Sequence, residues 1–556
     1  MYTFPVVDAA HNVNANKQDA MKVYMFVYNN AARDARVLKE AKTLTDNGYD
    51  VTIVALLDKN TVPEEERDGF KIKRVERNPI HYRIIYAYKH HSALGFLVHA
   101  VMSPVYLVRW ALRKYIKRSK RKRRRSAVSA RRFSPAAALS SLKRSSKRLK
   151  AKAGRWLAAT TNPIKRRFNR SISSPVRKFW RRHIRKAWLL WVRRPARILW
   201  YRYIRKAWFL WVRRPARILW YRYIFNTFRR MLFVFHKPLS MRDYYLRALA
   251  IVRADPGDIY HAHDLNTLPL AVMAHDKTGG KVVYDSHELF TETSTLSRLE
   301  RFGFKVIESR LIHRADVVIT VNNSIADELV ARYKLAQRPH VIMNCPASLK
   351  DDTALGGDNH ILHEELGLPL SIPIVLYQGG FAPHRGLENL ILSVKHYKKG
   401  VLVLLGWGKI EEDLRSLAKR EGLDDKIFFL EPVPQEELLL WTSSAQLGVI
   451  PYQYVNLNNY YTTPNKLFEY IQSGIPVAGS HFPELKKIID GYGIGKTFDP
   501  ESPIDIANAV NDILADRVEY ARMRENTKSA ARVFNWENEG RKLVEIYNEL
   551  SGRGAE

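Results

Sequence analysis

The sequence has a single cysteine, Cys345, among 556 residues. No disulfide can form within the chain, which fits a reducing cytoplasm. It has no apolar run of the roughly 20 residues that a spanning helix needs. The longest candidate, residues 95–108, is too short and reads as interfacial or buried. No signal peptide is visible in residues 1–20, which are polar and expected to form a disordered tail. Acidic residues are missing from one long region. Residues 109–230 hold 42 of the 92 Lys and Arg and none of the 55 Asp and Glu. The formal charge of +37 therefore belongs to that stretch, and the remainder is slightly acidic.

The chain as a whole has 46% apolar residues and room for two or three domains with their own cores. Its organising stretch is residues 462–479. Thr463 can cap a helix with Pro464 as its first residue, and such a helix start, with free N–H groups and a positive dipole end, is a seat for an anion. Glu469 lies less than two turns further in, Ser473 and Gly474 end the helix, and residues 475–478 read as a buried strand. An ordinary capped helix with a surface glutamate would have the same pattern.

In the N-terminal half, residues 21–28 read as the first strand, 34–48 as a helix and 51–55 as the next strand, a parallel unit. Residues 71–75 are a third strand. The loop after the first strand, with Asn30 and Asp34, lies where open α/β sheets bind ligands. The pattern returns with a helix over 241–253 and a strand over 258–264, on which His261 and His263 share a face and His263 is nearer the carboxyl end, beside Asp264. Residues 281–288 form another strand running into His287 and Glu288. Residues 317–324 are the last strand of this domain, with Ser324 capping the next helix. The Cys and His spacing matches no zinc set, and no metal is expected.

In the C-terminal half, residues 374–380 are a buried strand running into Gly379 and Gly380, followed by Arg385 and a helix from Leu387. Glycines let backbone approach a ligand, and arginine can grip a phosphate with two hydrogen bonds. A strand over 401–405 leads to Gly406 and Gly408 and a helix over 411–420. A strand over 427–430 leads to Glu431 and Val433, and residues 447–452 lead through an Asn- and Tyr-rich loop to Tyr461, Thr462, Asn465 and Lys466.

These motifs resemble the retaining glycosyltransferases of family 4, over about residues 21–80 and 240–550. The resemblance rests on the segment 462–479, the His-Ala-His-Asp at 261–264, the Asp-Ser-His-Glu at 285–288, the glycine pair with Arg385, and the turn 481–484. It implies a GT-B fold of two doubly wound Rossmann-like domains facing a cleft. It implies that Glu469 holds the nucleotide ribose, that Glu431 and Val433 pass backbone groups to the base, and that His263 lines the cleft between donor and acceptor. Two positions depart from the family pattern. Tyr461 stands where a glutamate that touches the donor sugar is expected, and Gly380 stands where an arginine is expected, leaving Arg385 as the main cation.

The basic region carries a repeat. Residues 184–203 and 204–223 differ only at Leu189 and Phe209. On a helix, Trp200, Ile204, Ala207, Trp208 and Trp211 fall on one face, and Arg202, Arg205, Lys206 and Arg213 on the other. Trp188, Trp191 and Trp220 belong to the same pattern. Such a helix suits an anionic membrane surface, with tryptophans at headgroup level and guanidinium groups on lipid phosphates. Binding of nucleic acid or another polyanion, and self-association, are the rival readings.

The expectation is therefore a 1–20 tail and an acceptor-side domain over 21–340 interrupted by a basic insert over 95–238. A nucleotide-sugar domain over 341–535 and a helix over 536–556 crossing back to the first domain complete it. His263, Arg385 and Glu469 are the expected catalytic residues, and Asn30, Asp34, His261, Asp264, His287 and Glu288 the expected acceptor side. The partners are a nucleotide sugar, anionic lipids and a lipid-linked acceptor, with no cofactor, for a peripheral enzyme on the inner face of the cell membrane. A nucleotide-sugar epimerase of the same fold and a polyanion-binding protein are the alternatives.

Overall fold

The structure is a computed structural model that describes residues 20–83, 236–348 and 359–553. The expected tail and nearly all of the basic insert, with its tryptophan repeat, lie outside the described residues. The chain divides into two compact units, residues 1–78 with 240–556, and residues 79–239. The larger unit holds both sheets and is the one described below. Among the described residues no helix is long and apolar enough to cross a membrane.

The first sheet contains β1 (Lys22–Phe26), β2 (Asp50–Leu56), β3 (Glu64–Arg67), β4 (Phe70–Val75), β5 (Ile259–His263), β6 (Lys281–Ser286), β7 (Val317–Thr320) and β8 (His340–Val341). Its order is β3-β4-β2-β1-β5-β6-β7-β8, parallel throughout except for β3. The β-branched and aromatic runs of β1, β2 and β5 are buried on both faces, as covered parallel strands must be. The edge strand β3 was not expected from the sequence. It arises because Asp68 (φ 50°) and Gly69 (φ 87°) make a two-residue turn of the kind that matches hairpin twist. β8 likewise extends the sheet beyond β7, so β7 is not the last strand.

The second sheet contains β9 (Ile374–Gln378), β10 (Val401–Leu405), β11 (Ile427–Leu430), β12 (Leu447–Ile450), β13 (Val477–Ser480) and β14 (Gly495–Phe498), in the order β11-β10-β9-β12-β13-β14 and parallel throughout. The direction of winding reverses between β1 and β5 in the first sheet and between β9 and β12 in the second. The crevices beyond the carboxyl ends of those strands are where an open α/β sheet binds ligands. The fold is thus the expected pair of Rossmann-like domains.

Two helix caps differ from expectation. The helix Asn323–Tyr333 is capped by Asn322, whose side chain accepts from the Ile325 N–H, and Ser324 lies inside it. The helix Asn465–Gln472 has Pro464 itself at the cap position, with extended backbone (φ −71°, ψ 147°) and no side-chain cap. Thr463 therefore stands one residue outside, and its hydroxyl oxygen accepts from Asn322 Nδ2 at 3.2 Å. The first-turn N–H groups are left without a side-chain partner.

The helix Trp536–Ser551 packs on the first sheet, not the second. Trp536, Leu543, Ile546 and Tyr547 share a core with Val37, Ala41 and Leu44, and Trp536 Nε1 donates to Thr43 Oγ1 at 2.9 Å.

Candidate active site

Loops at the carboxyl ends of both sheets enclose a cavity of about 680 Å³, lined by Asn29, Asn30, Asp34, Arg36, Asp264, His287 and Glu288 from the first domain and by Gln435, Thr463 and Asn465 from the second. A smaller cavity of about 160 Å³ shares His287, Glu288 and Thr463 and adds Arg385, Tyr452, Asn458 and Thr462. Direct bonds hold its two walls together. Asn458 Nδ2 donates to Glu288 Oε2 at 2.7 Å, Asn322 Nδ2 to the Tyr461 carbonyl at 2.6 Å, and the Ser324 hydroxyl to Glu484 Oε1 at 2.6 Å.

The floor on the first-domain side is a buried charged network. Arg36 donates from Nε and Nη2 to the two oxygens of Asp285, at 2.8 and 2.9 Å, and from Nη1 to the Ile342 carbonyl at 2.8 Å. Glu40, one turn further along the same helix, places Oε1 2.9 Å from Arg36 Nε without an aligned hydrogen bond, because that N–H points at Asp285. On the far side of Asp285, His287 Nε2 is 3.0 Å and His263 Nδ1 3.5 Å from Oδ2. His261 and His263 share a face of β5 and stack at 4.2 Å.

This packing sets the charges. Burial alone would lower the imidazolium of His287, but Asp264 and Asp285 outweigh it and raise it to about 10, so the ring is cationic at neutral pH. Burial lowers His263 against the pull of Asp285, leaving it neutral. Burial would raise the Asp285 carboxyl, yet Arg36 and His287 hold it well below its ordinary value. Glu40 is pushed up to about 8 by burial, only partly opposed by Arg36. His287 keeps 19% of its side chain exposed, so it presents that charge to the cavity.

Glu40, His261, His263 and Asp285 bring one potential ligand atom each within 4.8 Å of one another, a spacing that could hold a metal ion. The arginine already stands there, so the carboxylates have a positive partner. His261 itself lies below the cleft and not on it: it is fully buried, and its Nδ1 is 2.7 Å from the Tyr547 hydroxyl. This corrects its expected place on the cleft surface. His263 is 3% exposed, with its Nε2 unpartnered.

On the second-domain side, Arg385 lies over the Tyr452 ring at 4.3 Å from Cζ to the centroid. Lys466 stands with Nζ 3.5 Å from the Tyr377 centroid and 5.3 Å from that of Tyr452, next to Gly379. Burial, and then Arg385, push the Lys466 amine well below its ordinary value. Glu469 accepts from Gln378 Nε2 at 2.5 Å, and Gln378 in turn accepts from the Thr442 hydroxyl at 2.7 Å. Burial raises the Glu469 carboxyl against Gln378 and Lys466.

The glycines serve packing as well as approach. A Cβ on Gly406 would stand 2.1 Å from the Gly379 carbonyl oxygen, and one on Gly408 2.0 Å from that of Phe381. The loops after β9 and β10 therefore run in contact, joined by the Phe381–Gly408 bridge, with Gly380 open beside them. Glu431 is exposed and Val433 half-buried on the loop after β11, outside both cavities. Tyr461 offers its carbonyl to Asn322, and its ring packs on Tyr460.

Arg36, Glu40, Gln378, Tyr452 and Asn458 were not anticipated. For Arg36 and Glu40 a signal was present: they sit at helical spacing with Val37, Ala41 and Leu44, two opposite charges on a face that is otherwise apolar.

Two family models match the chain, Glycosyl transferases group 1 over residues 358–530 and Glycosyltransferase Family 4 over residues 208–345. Among curated proteins, a D-inositol 3-phosphate glycosyltransferase of Xylanimonas cellulosilytica is 24% identical over 45% of this chain and 61% of its own length. The protein of that name from Corynebacterium kroppenstedtii is 26% identical over 47% and 59%. The chain thus spans about 60% of the length of these two relatives. Among solved structures, sucrose-phosphate synthase from Thermosynechococcus elongatus superposes with a TM-score of 0.58 at 14% identity, covering 96% of this chain and 100% of that one. A glycosyltransferase from Rickettsia africae gives 0.53 at 11%, covering 96% and 99%. These two likenesses show the fold alone. With both domain types matched in order on two facing Rossmann-like sheets, the chain belongs to the family 4 type of glycosyltransferases with the GT-B fold.

Proposed function

We propose that this chain moves a sugar from a nucleotide-sugar donor, with retention of configuration, to a membrane-borne, lipid-linked acceptor in the synthesis of a cell-surface polysaccharide or glycolipid. The observation that carries the reading is the shared cavity, with Arg385, Thr462 and Thr463 on one wall and His287 and Glu288 on the other.

In this reading the donor diphosphate lies between Arg385 and the start of the helix Asn465–Gln472, which has no side-chain cap. As the bond from the anomeric carbon to the diphosphate oxygen breaks, negative charge grows at those donors, where fixed positive groups accelerate transfer most. Glu469, held by Gln378, takes the ribose hydroxyls. The acceptor oxygen bonds to the anomeric carbon on the face the diphosphate leaves, and its proton passes to a base. His263, neutral and with its Nε2 unpartnered but buried just behind the cavity wall, would take that part once the bound acceptor reaches it. Cations of the protein take the role a metal plays in other transferases. The named relatives modify a phosphorylated inositol, so a polar acceptor carrying phosphate is chemically consistent with a cleft lined by Arg33, Arg36 and His287. The basic tryptophan repeat is the membrane contact that would place the enzyme on the inner face of the cell membrane.

The test is nucleotide release from a panel of nucleotide sugars. Release is expected to fall at least about 100-fold in Arg385→Ala, the scale seen when one charge-stabilising donor is lost, and to fall strongly in Glu469→Ala. Equal turnover in both variants would overturn the assignment, and conversion of a donor without any acceptor would favour an epimerase.

A further inference from the structure

We propose that the helix Arg298–Leu311 is a docking surface for an anionic lipid bilayer, built into the folded first domain and separate from the basic insert. Leu299 is 85% and Phe302 70% exposed, the former the most exposed large hydrophobic side chain among the described residues. They lie one turn apart on the same side of the helix. Arg298 and Lys305 flank Phe302 within about 60° around the axis, and Arg310 lies beyond Leu299.

The outward charges of this helix are mainly positive, because one of its acids is half-buried at the N-terminal cap and another is buried. Glu300 closes a capping box with Ser297, and Glu308 is 2% exposed and accepts from the Tyr284 and Tyr333 hydroxyls at 2.8 and 2.6 Å. Arg298 and Arg310 have no acidic partner among the described residues, and Lys305 reaches back to Glu292. Two apolar side chains set among cations are too small a patch for a protein interface. They suit a headgroup layer, where Leu and Phe enter the acyl boundary and the cations meet lipid phosphates. The place is also apt. The chain leaves the cavity wall at His287 and Glu288 and passes the short turn Phe290–Glu292, which packs on this helix, before reaching Ser297. Docking here would bring the rim of the cleft to the lipid surface. The inference extends the reading of a membrane-borne acceptor, and its test reads lipid contact and not turnover.

The test uses the full chain with Phe302→Cys carrying an environment-sensitive fluorophore, since the natural Cys345 is buried and stays unlabelled. Vesicles of phosphatidylcholine with phosphatidylglycerol should shift its emission to the blue, and shallow nitroxide lipids should quench it at least about twofold. Pure phosphatidylcholine should do neither, because cations contribute much of such binding. A label at Val518→Cys, more exposed than position 302 and in the second domain, should not respond. An unchanged signal at position 302 while the chain co-floats with vesicles would overturn the proposal, leaving the basic insert as the sole membrane contact. A blue shift that needs no vesicles and grows with protein concentration would overturn it in favour of self-association.

Discussion

Arg36 holds Asp285 by two parallel hydrogen bonds, from helix to strand across 249 residues of sequence, with both side chains almost wholly out of water. The pair fixes the floor of the cleft, because the same carboxylate orients His263 and His287. Arg36→Leu should destabilise the chain by about 3–5 kcal/mol, the usual result of removing one partner from a buried ion pair. Urea unfolding measures it. A loss below about 1 kcal/mol would show that His287 alone suffices to hold Asp285.

Glu40 gives a pH signature of definite sign. Its carboxyl is raised from 4.5 to about 8 in the folded chain, first by burial. The native state therefore keeps a proton that the unfolded state releases, and this group's contribution to stability falls as pH rises from about 4.5 to about 8. Glu40→Gln removes that contribution. Relative to the parent, the variant should gain stability steadily from pH 5 to 8, as read by unfolding midpoints. Parallel curves for the two proteins would mean that Glu40 is ionised throughout.

Lys466 should report donor binding through protons. Its amine is held well below its ordinary value by burial and by Arg385. A diphosphate beside Gly379 would favour the charged form, so binding of a nucleoside diphosphate should be accompanied by proton uptake. Calorimetry in buffers of different ionisation enthalpy detects this, and Lys466→Met should abolish it. Heats that do not depend on the buffer would place the diphosphate elsewhere.

Gly386 positions Arg385. Its φ is +71°, and a Cβ there would stand 1.7 Å from the Pro451 carbonyl oxygen, which is backbone and cannot turn aside. Gly386→Ala should cost about 1–3 kcal/mol from left-handed strain and clash, and should raise KM for the donor more than Arg385→Lys does. Unchanged thermal stability would show that the Pro451 segment yields freely.

Much of the fold was legible because each βα unit announces itself. The apolar runs of β9 and β10 end in glycines, and the helix Glu411–Arg420 and strand β11 have the bounds their pattern predicts. β8 was not legible, since two residues carry no period. β3 was missed as well: the Asp68-Gly69 turn is a hairpin signal, but the acidic composition of Glu64–Arg67 masks the strand. Asn322 and Ser324 are equally good caps in sequence, and the choice depends on tertiary contacts to Tyr461 and Glu484. At the site, single motifs located His287 and Arg385, which line the cavities, whereas His263, expected to line the cleft, is 3% exposed and lines neither cavity. The bonds joining Arg36 to Asp285 and Gln378 to Glu469 run between elements far apart in sequence and are set only by the way the sheets wind.

The helix Trp536–Ser551 has a consequence for biosynthesis. Tyr547 seals His261, and Trp536 and Leu543 complete a core whose first strand begins at Lys22. The core of the first domain thus stays unfinished until the segment 536–551 has been made and has folded back, so a chain truncated before residue 536 lacks the contacts that settle its histidine cluster.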